Sequence, residues 1–179
     1  REWAGAIPKT KSMSDSKAVK NILRVKNWDG VIGIFPEGGR SWDGDSLPPI
    51  YSTSKLVKLL KIPVVFVLLK GCHLACPRWA MKSRKGKIFL DFNVILSKED
   101  IESKSVDEIH RIIEENLKYS EYEWQRENMY EYDVHNRAER LELMLFTCPQ
   151  CLQLETLVSR GNDFYCTECN YKTTFTKTG

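Results

Sequence analysis

The chain has 179 residues, 42% of them hydrophobic, which suits one ordinary domain with a small appendage and argues against wholesale disorder. Its longest apolar run, Ile62 to Leu69, is eight residues, where a bilayer-spanning helix needs about 20, and no secretory signal is legible. The net charge of +3 is unevenly spread: nine basic and no acidic residues lie between Ser46 and Leu90, and fourteen acidic against six basic between Glu99 and Glu142. The basic block fits a surface turned to an anionic partner, or lysines flanking buried strands; the acidic block fits a solvated helix. Because the chain opens on Arg1 rather than methionine, it is read as a fragment or processed form with further sequence expected upstream.

In chain order, Asp15–Lys26 carries Ala18, Val19, Ile22, Leu23 and Val25 at helical spacing, with Ser14 or Asp15 able to cap it. Trp28-Asp29-Gly30 makes a turn, and Val31 to Phe35 reads as a buried strand ended by Pro36, with Gly38-Gly39 opening a loop. Residues Ser52 to Lys61 form an amphipathic helix, Pro63 to Leu69 a buried strand, and Lys87 to Leu96 a strand with Ile88, Leu90, Phe92 and Val94 alternating. Ser105, with Glu108 three residues on, has capping-box spacing for a long helix reaching about Arg126. This order predicts an α/β fold with a covered, partly parallel sheet over residues 1–130. Glu131 to Leu143, charged and weakly periodic, reads as a hinge, giving a linker over 131–144.

The loop Phe35-Pro36-Glu37-Gly38-Gly39-Arg40-Ser41 follows a strand, and its glycines let the backbone approach a ligand closely. Arg40 offers a planar fork of donors suited to phosphate oxygens, and Glu37 can orient it or accept a hydrogen bond from a hydroxyl. That is a phosphate site at a strand end, although a turn with a surface Glu–Arg pair has the same residues.

The same stretch resembles the phosphate-binding F-P-E-G-x-R-S motif of the 1-acylglycerol-3-phosphate (lysophosphatidate) acyltransferase family, with Gly39 where many members have threonine. The resemblance implies that Glu37, Gly38 and Arg40 hold the glycerol phosphate of the acceptor. Gly5 to Lys11 is similar to that family's second block, so Lys9 or Lys11 takes the place of its phosphate-gripping arginine. Ile62 to Val67 resembles the fourth block, a buried strand, and Pro77-Arg78-Trp79-Ala80 resembles a stretch of one bacterial subgroup. The similarity covers about residues 1–125. It implies a glycerolphosphate-acyltransferase-like sheet flanked by helices, and transfer of an acyl group from acyl-CoA or acyl-carrier protein to lysophosphatidate.

Such a transfer needs a general base for the acceptor hydroxyl, which the family takes from an H-x-x-x-x-D motif. Five residues after His73, His110 and His135 stand Arg78, Glu115 and Arg140, so none supplies it. The dyad is expected upstream, and the chain as it stands is expected to be inactive. Cys72 or Cys76 beside His73 reads as an inert thiol, since neighbours in an extended chain point to opposite faces.

Cys148-Pro-Gln-Cys151 and Cys166-Thr-Glu-Cys169 are two C-x-x-C pairs separated by fourteen residues. Two such turns supply four thiolates in a tetrahedron, and the intervening Leu154–Val158 and Phe164-Tyr165 flank a hairpin turn at Arg160–Asp163. The tail, residues 145–179, thus reads as a zinc ribbon with a closed structural ion. It carries three basic and three acidic side chains, so no nucleic-acid footprint is expected. The leading expectation is a cytoplasmic, peripherally membrane-associated acyltransferase piece. The alternative is a zinc-ribbon binding module whose α/β part recognises phosphate on nucleic acid or protein.

Overall fold

A computed structural model describes residues 5–8 and 16–179. Lys9, Lys11, Ser14 and Asp15 lie outside the described residues. The elements are α1 (Ser16–Asn27), α2 (Tyr51–Leu60), β1 (Val64–Lys70), α3 (Cys72–Ala75), β2 (Phe89–Leu96), α4 (Lys98–Ser103), α5 (Val106–Leu117) and α6 (Glu121–Asn128). A 3₁₀ turn (Leu141–Leu143) and a ribbon of β3 (Leu157–Arg160), β4 (Asp163–Cys166) and β5 (Lys172–Thr174) complete the order.

The fold is mixed α/β with two small antiparallel sheets, β1–β2 and β3–β4–β5. The partly parallel sheet expected from strand–helix–strand order is not present among the described residues. A parallel return requires a crossover helix packed back on the sheet. Residues 71–88 hold only the single turn of α3, whose Leu74 and Ala75 pack with Tyr132 instead.

One core lies between the inner face of β1–β2 and the helices: Val57 of α2, Leu96, Ile101 of α4, and Ile109, Ile113 and Leu117 of α5, with Val64 and Phe66 against them. Capping boxes start both α4 (Ser97 with Asp100) and α5 (Ser105 with Glu108), each satisfying two backbone donors. The Lys58 ammonium closes the other end of α4, donating to the carbonyls of Ile101, Glu102 and Lys104 at 2.8, 3.1 and 2.7 Å. The expected long helix after Ser105 breaks after Leu117. Lys118 is extended, Tyr119 exchanges bonds with Ser46, and Ser120 caps α6 anew.

Two sequence expectations meet a different outcome. Val31 to Phe35 forms no strand, and Val31 and Phe35 are 97% and 82% exposed. No strand edge among the described residues lies beside it, and an extended segment without a partner leaves its backbone to water. The alternation in β2 is present, but Leu90, Phe92 and Val94 face away from the helices. The register places them beside Leu69, Val67 and Val65, so the outer face of the pair is one apolar row. All the helical cover lies on the opposite face.

The 131–144 segment, expected as a hinge, is packed. Tyr132, Ala138 and Leu141 are almost fully buried. The Arg137 backbone N–H donates to Asn162 Oδ1 at 2.8 Å, and its Nε donates to the Phe175 carbonyl at 3.1 Å. Trp79, from the loop after α3, is 1% exposed and sits in the ribbon core with Ala138, Leu141, Leu157 and Phe164. Trp79→Ala should therefore cost about 3–5 kcal/mol, the usual range for a buried tryptophan. Denaturant unfolding followed by far-ultraviolet dichroism and by tryptophan fluorescence should lose stability together; an unchanged midpoint would show that the two parts do not share this core.

Candidate functional site

The Phe35–Ser41 loop is built by short-range ties. Gly38 sits in the left-handed region (φ 67°) and its N–H donates to the Phe35 carbonyl at 3.2 Å, a tight turn that a side chain at this position would strain. The Glu37 carboxylate accepts the Leu47 N–H at 2.9 Å, closing the loop on itself, and Ile50 N–H donates to the Pro36 carbonyl at 2.8 Å. The Ser41 hydroxyl accepts from Gly44 N–H at 3.2 Å, and the Gly44 carbonyl accepts from Glu121 N–H. The loop is thus pinned between the start of α2 and the start of α6.

Arg40 reaches across to a second loop, donating from Nη2 to the Cys76 carbonyl at 2.5 Å and lying 3.7 Å from its sulfur. Arg78 returns the contact, donating from Nη1 to the Arg40 carbonyl at 2.6 Å, while its guanidinium lies 4.5 Å from the Trp42 ring centre. Of the predicted phosphate residues, the structure brings Glu37, Gly38 and Arg40 into one loop. Lys9 and Lys11 lie outside the described residues. Sequence reasoning left Arg78 without a role, because its partner carbonyl is 38 residues away and no local pattern encodes that distance.

Two of the three histidines, His73 and His110, are held by packing. His110 Nδ1 lies 3.0 Å from the buried Ser54 hydroxyl, and its ring meets Tyr51 edge-on at 5.1 Å. His73 packs edge-on against Tyr122 at 5.8 Å, with Nε2 buried and without a hydrogen-bond partner. Burial, with the nearby charges of Arg84 and Arg40, pushes His73 down to about 4, although Asp43 and Asp45 oppose the shift. Beside it the buried Glu121 accepts the Leu74 N–H at 3.4 Å; burial raises its pKa, and the amides at the start of α3 and the Tyr119 hydroxyl counter that by favouring the ionised form. These are structural roles: neither imidazole is held by a carboxylate in the way a general base is.

The second constellation is the four cysteines. Their sulfurs all lie within 4.8 Å of one another, with Cys148–Cys169 at 3.6 Å and Cys151–Cys166 at 3.7 Å. A disulfide brings sulfurs to about 2.0 Å. Four sulfurs about 2.3 Å from one tetrahedral ion stand about 3.8 Å apart. The cluster therefore matches a metal cage rather than a pair of disulfides, and could hold a metal ion. The two turns supply matching amide donors: Gln150 and Cys151 to the Cys148 sulfur, Glu168 and Cys169 to that of Cys166, Gln153 to Cys151, and Tyr171 to Cys169. Leu152, just past the first pair, takes a left-handed conformation (φ 61°), which completes that turn. The Thr156 hydroxyl, 3.2 Å away, helps hold Cys166 down at about 6. Against the Tyr171 amide, burial and the three neighbouring sulfurs push Cys169 up to about 12. Four thiolates this close repel one another, and a bound cation removes that repulsion.

No protein-family model, no curated protein and no solved structure matches the chain.

Two measurements follow. Protein prepared under reducing conditions should carry about one tightly bound metal ion per chain by elemental analysis, and chelation should unfold the ribbon. Metal-free protein with an unchanged melting curve would remove the cage. His73 binds its proton only near pH 4 when folded but near 6.5 when unfolded. Its contribution to stability is thus fully present above about pH 6.5 and is lost as pH falls toward 4. His73→Gln should flatten the stability–pH curve between 6.5 and 5, and an imidazole proton resonance titrating near 6.5 in the folded protein would contradict the shift.

Proposed function

We propose that this chain carries the acceptor-phosphate site of a glycerolipid acyltransferase of the 1-acylglycerol-3-phosphate acyltransferase type, with zinc as a structural ion in the four-cysteine cage. The observation that carries the reading is the Phe35–Ser41 loop. It has the motif's residues in order, it is held by its own Glu37, and it displays an exposed arginine that no carboxylate neutralises among the described residues.

In this reading Arg40 donates to the phosphate oxygens of lysophosphatidate, a charge-assisted and directional contact. Glu37 shapes the loop through Leu47 and accepts from the glycerol hydroxyl; Lys9 or Lys11 adds positive charge. The acyl group comes from acyl-CoA or acyl-carrier protein. The hydroxyl attacks the thioester carbonyl, gives up its proton and expels the thiol. A base is required for that proton; His110 is engaged with the Ser54 hydroxyl, and His73 Nε2 is buried away from solvent. The chain's part is accordingly to bind and orient the acceptor.

Zinc suits the cage because four thiolates in a tetrahedron leave no position open for substrate, the pattern of a structural ion. The basic stretch from Lys55 to Lys87 favours an anionic membrane surface, where the acceptor resides. Contact there is peripheral, and no helix among the described residues is long and apolar enough to cross a membrane.

Binding to neutral phosphatidylcholine vesicles doped with lysophosphatidate or with monoacylglycerol tests the site without requiring turnover. The chain should prefer the phosphorylated lipid. Arg40→Gln should cut that preference by about 10- to 100-fold, the worth of one charge-assisted hydrogen bond of about 1.5–3 kcal/mol. Equal binding to both lipids by the unaltered chain would sink the assignment.

A further inference from the structure

We infer that Arg78 is a second guanidinium of the same phosphate site, making it selective for a terminal phosphomonoester dianion over a phosphodiester. The inference rests on the reading of Arg40 as a phosphate ligand.

Four observations carry it. First, the two arginines are clasped reciprocally: Arg40 donates to the carbonyl of Cys76, and Arg78 donates to the carbonyl of Arg40. Each positive side chain is therefore held against the loop that carries the other. Second, both are exposed and neither has a carboxylate within ion-pair distance among the described residues. Asp43 and Asp45, whose charges reach His73, pair with neither arginine. The two cationic side chains are held on clasped loops without a counter-charge among the described residues, and an anion that reaches both would be favoured.

Third, each arginine spends one nitrogen on a carbonyl in the contacts above, and a guanidinium has five N–H donors. Donors therefore remain on both for a phosphate with several free oxygens. Fourth, Arg78 is preorganised. Its neighbours alternate, with Pro77 and Trp79 fully buried and Cys76 and Arg78 exposed. Trp79 is anchored in the ribbon core, and the Trp42 face supports the guanidinium plane. A side chain already ordered loses less entropy when the ligand arrives.

The charge argument sets the selectivity. A phosphomonoester carries nearly two negative charges at pH 7 and three free oxygens, whereas a diester carries one charge and two. A single arginine discriminates weakly between them, while a pair rewards the second charge.

The experiment compares vesicles containing lysophosphatidate with vesicles containing lysophosphatidylglycerol at equal mole fraction, using the full chain with its metal. Arg78→Gln keeps a donor for the Arg40 carbonyl but removes the charge. It should lower the monoester-to-diester preference by about tenfold while leaving melting temperature and metal content unchanged, and Arg78→Lys should restore part of the preference. If Arg40→Gln loses binding while Arg78→Gln keeps the preference, Arg78 is only a loop clasp and the inference is overturned. If the unaltered chain binds neither phospholipid above a monoacylglycerol control, the reading of the loop itself fails instead. Should Arg78→Gln not fold, arginine modification by phenylglyoxal on the unaltered chain decides. Lysophosphatidate vesicles should protect both Arg40 and Arg78 by peptide mass spectrometry, and protection of Arg40 alone overturns the proposal.

Discussion

Much of this structure depends on the burial of one tryptophan. A ribbon of about 35 residues cannot enclose a core of its own, because too much of its surface stays wet at that size. Here the missing interior is supplied from outside: Trp79 enters from the loop after α3, and Ala138 and Leu141 enter from the connecting segment. Phe175 meets the Trp79 ring edge-on at 5.8 Å, and the Arg84 guanidinium lies 4.9 Å from Trp79 and 4.5 Å from Phe175. Burial lowers Arg84 to about 10, which still leaves it charged at neutral pH. With no carboxylate paired to it among the described residues, it is held by two ring faces and by the Arg137 carbonyl at 3.0 Å. Ring faces and a carbonyl thus offset a desolvation cost that a salt bridge usually meets.

That arrangement gives the cysteine cage a reach beyond its own turns. Cys148 and Cys166 are buried in the same cluster as Trp79, so the order that a bound metal would impose on the two C-x-x-C turns would pass to the tryptophan by packing. Residue 78 is covalently next to it and bonds the Arg40 carbonyl. The route from cage to phosphate loop is a short series of contacts, each visible as a distance or a burial. Structural metal sites are often treated as local staples; a metal in this four-cysteine cluster would also hold the loop whose Arg78 bonds the Arg40 carbonyl.

How much of this was legible in the sequence follows from the range of each interaction. The Ser105–Glu108 capping box, the helix at 51–60, the strands at 64–70 and 89–96, and the hairpin around Gly161 are governed by neighbours within a few residues, and the pattern reading found them. The four cysteines were legible because ligand spacing is itself a local code. The break between α5 and α6 was not, because it is enforced by Ser46, 73 residues away from Tyr119. Nor was the packing of 131–144, since its charged surface masks the three residues that turn inward. Val31 to Phe35 has strand composition, and composition describes what a segment can pair with, not whether a partner edge lies beside it. The second capping box, Ser97 with Asp100, was missed for a smaller reason: α4 is six residues long, too short for periodicity to register.

If the loop holds a phosphate as proposed, the position of Glu37 is a puzzle, because a carboxylate beside a phosphate repels it. The structure reduces that conflict in two ways. The Leu47 N–H takes up part of the carboxylate's charge, and it turns the side chain along the loop, since residues 37 and 47 close a ring ten residues long. Arg40, three residues further on, instead leaves the loop toward Cys76. Negative and positive groups of the motif thus point to different neighbours, and under the proposed function a phosphate approaching Arg40 and Arg78 would meet donors first. The exposed Phe35 stands at the start of the same loop, five residues before Arg40. In the proposed reading, an apolar surface and a cationic grip separated by a few residues would suit the two ends of a lysophospholipid, whose charged head and acyl chain are joined by a glycerol unit. Under the proposed function, the loop's sequence order, apolar then acidic then basic, would serve recognition of an amphiphile: contact with the apolar part at Phe35, a hydroxyl acceptor at Glu37, and charge capture at Arg40.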